Sequence, residues 1–157
     1  MRSFLAALIF ATVALVSARA ADVEFVRVWP GWQDASAFDR ISEYFTGHEN
    51  PGRRTILRTR AEARAGFYFL VRARNSGAAL TDATFNLQVI LPDAPDAKTY
   101  TFPAKLSAGA TVFQLGLTGA DWPGPRTHPV AWRLRLLAAD GSVLAHAQSF
   151  LWEIPAN

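Results

Sequence analysis

Cysteine is missing from all 157 residues, which excludes a disulfide framework, a thiolate metal site and lipid attachment through an N-terminal cysteine. Lysine is scarce: of 16 basic residues, only Lys98 and Lys105 are not arginine. Long apolar runs are absent apart from Phe4 to Val16, which falls short of the roughly 20 residues that span a bilayer as a helix. Local chemical signatures are absent too. No Gly-x-Ser-x-Gly elbow occurs, so nothing marks an activated serine. His48, His128 and His146 lie in separate segments, none at metal-ligand spacing from another histidine or from a carboxylate. Asp93 and Asp96 sit in a proline-rich stretch without the dense acid, amide and glycine pattern of a calcium loop. No cofactor, no metal and no catalytic residues are therefore expected, and the chain reads as a non-enzyme.

What the chain does contain begins with a leader. Arg2 precedes the apolar run, and Ala18-Arg19-Ala20 supplies small residues at the two cleavage-subsite positions, the pattern of a secretory signal peptide over residues 1–20. This predicts export to the periplasm or the extracellular medium, with no membrane attachment after cleavage and one domain over residues 21–157. Arg2 and Arg19 leave with the leader, so 14 basic residues face 13 acidic ones in the remainder. A near-neutral protein has no excess field for phosphate backbones, and no nucleic-acid partner is expected. Half of the residues are hydrophobic, enough for a folded core without cross-links.

The densest strand signal is Gly66 to Gly77. At period two, Phe67, Phe69, Val71 and Ala73 share one face, while Tyr68, Leu70, Arg72 and Arg74 share the other. Further strands are predicted over Val23–Trp29, Thr55–Arg60, Thr84–Leu91, Lys98–Pro103, Thr111–Leu117, Val130–Leu137 and Val143–Trp152. Trp29-Pro30-Gly31 reads as a type II turn, and Asp140-Gly141 as a type I′ hairpin turn. Ser36 and Asp39 suggest a capping box for a short helix from Ala37 to Phe45, with Phe38, Ile41 and Phe45 on its buried stripe and Gly47 as its stop.

Seven or eight short strands with turn signals between them, and no alternating helices, define an all-β antiparallel sandwich with one short helix. The pattern resembles an immunoglobulin-like or fibronectin type III-like domain of an exported bacterial protein. The cysteine pair and strand tryptophan of antibody-type domains are lacking, and no named functional family is matched. The resemblance implies a non-catalytic interaction module that binds an exported protein partner through loops or a sheet edge. A carbohydrate-binding module is the alternative, and an enzyme of unrecognised type the second. Candidate ligand-binding residues are Trp29, Trp32 and Trp122, held beside or within two Trp-Pro-Gly motifs and suited to stacking a glycan. Arg72 and Arg74 join them, because arginines two apart on a strand point the same way and grip anions bidentately.

Overall fold

The computed structural model describes residues 22–49 and 51–152. The expected leader lies outside these residues. Eight strands form two four-stranded sheets: β1 (Val23–Gln33), β2 (Arg54–Arg58), β3 (Gly66–Asn75) and β6 (Gly109–Thr118) in the first; β4 (Leu80–Leu91), β5 (Ala94–Leu106), β7 (Ala131–Leu137) and β8 (Val143–Gln148) in the second. Strand order is β1-β3-β6-β2 and β5-β4-β7-β8. Every pair is antiparallel except β2 with β6, which run parallel. That exception arises because β2 sits beyond β6 at the sheet edge and not beside β3. The chain reaches β3 through the connection at residues 59–65.

The central strands obey their alternation. Phe67, Phe69, Val71 and Ala73 of β3 face Phe85, Leu87 and Val89 of β4 and Leu134 and Leu136 of β7 across one apolar core. Phe113, Leu115 and Leu117 of β6 complete it. Phe85 meets the Phe113 ring at 4.9 Å, edge to face, the arrangement aromatic quadrupoles favour.

The outer strands correct the sequence reading. In β1 the register shifts between Phe25 and Arg27, so Val26 is the extra residue of a bulge. Val23 and Phe25 face inward before it and Val28, Pro30 and Trp32 after it, which turns Arg27 and Trp29 outward. Trp29-Pro30-Gly31 is therefore not a turn. It continues the strand, and Pro30 is tolerated because β1 is an edge with one pairing partner. The β7–β8 hairpin is not type I′ either. Gly141 alone has positive φ, at 82°, and its N–H donates to the Ala138 carbonyl at 2.9 Å. This is a type I turn closed by a glycine bulge.

The expected helix divides in two. A 3-10 turn spans Ala35–Phe38, the backbone is extended at Asp39 and Arg40, and α1 covers Ile41–Thr46. Ser36 lies inside the 3-10 turn and caps nothing. Gly47 does end α1, in the left-handed conformation at φ 69°.

Candidate binding surface

The connection from Asp34 to Glu49 crosses the outer face of the first sheet as a strap. Its anchor is Phe38, 5% exposed. The Phe38 ring lies 4.8 Å from that of Tyr68 and 4.8 Å from the Arg58 guanidinium. Tyr68 points outward from β3, yet it is buried, because the strap covers it and Gly116 of β6 leaves room beneath it.

Arg58 joins strap to sheet. Its two terminal nitrogens donate to the Glu49 carboxylate at 2.7 and 2.6 Å, and Nε donates to the Tyr68 hydroxyl at 2.7 Å. Tyr68 in turn donates to the Arg64 carbonyl at 2.7 Å. The Arg58 hydrogen bonds hold the Glu49 carboxyl below its ordinary range against the opposing effect of burial. The same contacts push the Arg58 guanidinium further up. Burial raises the Tyr68 phenol. A second clamp is Arg64, which donates to Glu43 at 2.9 Å and Asp39 at 3.2 Å.

Beyond the strap the outer face is open and basic. In register across the sheet, Arg27 of β1 pairs with Arg72 of β3, which pairs with Val112 of β6 and then Arg54 of β2. Adjacent strands are roughly 4.8 Å apart, so three guanidinium groups share one row. Among the described residues none of the three has an ion pair. The neighbouring row is Trp29, Leu70, Gln114 and Ile56, with Arg27 stacked 4.6 Å above the Trp29 ring.

The sequence-predicted residues thus separate. Trp29, 39% exposed, is on this face with Arg72. Arg74 is on it as well, paired with Glu24 at 3.2 Å. Trp32 faces the core and its indole N–H donates to Asp34 at 2.8 Å. Trp122 is a plug and no glycan platform: it is 5% exposed and stacked on Phe67 at 4.5 Å. Its N–H is held by the Gly124 carbonyl at 3.1 Å. Its loop faces the core end, which leaves no ring face for a sugar.

Sequence reasoning missed the most exposed rings of the face. Tyr44 and Phe45 of α1 are 89% and 80% exposed and meet edge to face at 5.6 Å. The extended residues Asp39 and Arg40 shift the phase between Phe38 and Phe45, so the expected stripe does not persist. Arg27 was hidden by the Val26 bulge.

A further two arginines spaced two apart on a strand lie elsewhere. Arg133 and Arg135 stand on the outer face of the second sheet, donating to Gln88 at 2.7 and 3.0 Å and to Asn86 at 3.2 Å. The histidines fall in different surroundings: His48 beyond α1, His128 with its ring 6.1 Å from that of Phe67, and His146 opposite Arg135. Among the described residues no group of histidines and carboxylates is arranged to hold a metal, and no helix is long and apolar enough to cross a membrane.

Two packed four-stranded sheets with inward-alternating cores define the class as an immunoglobulin-like β-sandwich. No family model matches the chain, and no curated protein does. Among solved structures, an immunoglobulin-like protein from Pseudomonas aeruginosa is similar over 83% of this chain and 96% of its own, at 18% identity and a TM-score of 0.35.

Proposed function

We propose that the chain is an exported, non-catalytic binding module that takes an acidic protein partner on the strap side of the first sheet. The observation that carries this reading is the Tyr44–Phe45 pair, two adjoining rings exposed on a strap that salt bridges clamp in place. Rigid aromatic rings beside arginines are what protein interfaces use as anchors, because they bring large contact area at small entropy cost. Arg27, Arg54 and Arg72, which have no ion pair among the described residues, favour a partner surface rich in carboxylates.

Sheet-edge addition is a weaker mode at three of the four sheet edges, β1, β2 and β5. The free edge of β5 carries Pro95 and Pro103 with Lys98 and Lys105, β1 carries Pro30, and β2 is five residues long with an arginine at each end. These features blunt strand pairing with a second chain.

A photoreactive side chain placed at Phe45, and separately at Thr99 on the second sheet, tests the proposal in the producing cell. The expected outcome is one discrete protein adduct from position 45 that weakens as ionic strength rises. Equal labelling from both positions, or none from position 45, would overturn it.

A further inference from the structure

Residues 34–65, from the strap to the start of β3, hold six arginines, Arg40, Arg53, Arg54, Arg58, Arg60 and Arg64, and five acids, Asp34, Asp39, Glu43, Glu49 and Glu62. Three of the arginines are paired, Arg58 with Glu49, Arg64 with Glu43 and Asp39, and Arg60 with Asp121, while the Asp34 carboxylate accepts the Trp32 indole N–H. The three arginines left over are not scattered. Arg40, Arg53 and Arg54, with Pro51 and Gly52, line one hollow of about 250 Å³. Gly52, at φ 64°, forms the turn that sets the two adjacent arginines at its rim, and the Arg54 N–H closes that turn on the Pro51 carbonyl at 3.3 Å. In the adjoining hollow the carboxylate is Glu49, already held bidentately by Arg58. Among the described residues, Arg40, Arg53 and Arg54 have no ion pair.

Like charges brought together without a counter-ion repel one another, and a bound anion relieves that repulsion. Guanidinium groups present planar pairs of N–H donors matched to the oxygens of phosphate, sulfate or carboxylate. Three of them lining one hollow offer more donors than a flat carboxylate, which two would already satisfy, and so suit a tetrahedral oxyanion. The hollow is open to solvent, so it leaves room for an anion carried as an ester on a larger molecule.

We infer that the hollow formed by Arg40, Arg53 and Arg54 is a binding site for a sulfate or phosphate ester. The site shares Arg54 with the basic row of the protein-binding surface, but it needs neither Tyr44, Phe45 nor Trp29, and substitutions at Arg40 and Arg53 test it separately. Sulfate and phosphate monoesters share the tetrahedral oxygens and differ in charge near neutral pH, where the phosphate approaches a dianion.

Titration calorimetry of the purified protein with glucosamine 6-sulfate and with glucose 6-phosphate tests it. Saturable binding of at least one is expected, and the tighter of the two names the source of the ester. Arg40→Gln with Arg53→Gln should weaken that binding by about tenfold or more. Arg133→Gln, on the opposite sheet, should leave it unchanged. The three side chains are exposed and make no ion pair among the described residues, so circular dichroism and melting of the double variant should match the parent. If that variant fails to fold, Arg53→Lys keeps the charge, loses the planar fork, and should still weaken binding. No saturable binding of either ester, or binding that the Arg40 and Arg53 substitutions do not change, would overturn the inference.

Discussion

Tyr68 shows how one residue decides what can sit next to it. Its ring covers Gly116 of β6, and its hydroxyl accepts from Arg58 and donates to Arg64. A methyl group at Gly116 would overlap the ring, with Cζ only 2.7 Å away. The ring cannot retreat, because Phe38 covers its other side. Gly116→Ala should therefore destabilise the protein by about 1–3 kcal/mol, the usual cost of overpacking, read as a lower urea midpoint. Because the strain belongs to the pair, Tyr68→Leu in the same chain should make the two losses less than additive. Strict additivity would show that the glycine is needed for something other than room. Nothing in the sequence announces this pairing, since Gly116 and Tyr68 are brought opposite each other only by the β3–β6 register.

At the scale of elements, the strap is the part whose position depends most on charge. Its Glu49 carboxyl is held below the ordinary glutamate range chiefly by the Arg58 hydrogen bonds. A depressed folded value means that the pairing stabilises at pH above the unfolded value, about 4.3, and is lost as pH falls through the depressed one. The Tyr68 phenol has the opposite sense. Burial raises it, so its contribution is complete below about pH 10 and is lost as pH rises through the raised value. Strap amides should exchange hydrogen faster below about pH 4.3 once the intrinsic rate is corrected for, while those of β3 stay protected. Glu49→Gln should produce the same loosening at neutral pH. A strap that stays protected in that variant would assign its ordering to Phe38 and the Arg64 clamp.

The strap is also where the sequence was least legible. β3, β4, β6 and β7 are central strands, and alternation alone assigns their faces because a one-residue slip would bury their polar side. Edge and connecting segments follow other constraints. The Val26 bulge inverts half of β1, and the Phe38 pocket on Tyr68 breaks the helical stripe. Arg72 could be placed on an outer face from its spacing, whereas its row-mates Arg27 and Arg54 required the strand order. The tryptophans divide for the same reason, since Trp-Pro-Gly describes a local backbone and says nothing of which end of the core lies behind it.

For the whole molecule, those two tryptophans give opposite expectations. Trp122 closes one end of the sandwich: its ring is stacked on Phe67 at 4.5 Å, and Phe67 meets Phe69 at 5.6 Å deeper in the core. Both sheets reach this cluster, so removing the plug opens a cavity that neither sheet can fill without moving against the other. Trp122→Ala should cost about 3–5 kcal/mol, shifting the urea midpoint with an unchanged slope, as for a fully folded core that has lost contacts and not compactness. Trp29 lies on the outer face, where its ring meets Arg27 and solvent. Trp29→Ala should move stability by no more than about 0.5–1 kcal/mol. The same pair separates by fluorescence: acrylamide should quench the Trp29 contribution readily and leave that of Trp122 nearly untouched. Comparable destabilisation by the two substitutions would mean that the outer face of the first sheet is part of what holds the sandwich together, and the basic row proposed there as part of the binding surface would no longer lie on a face the fold can spare.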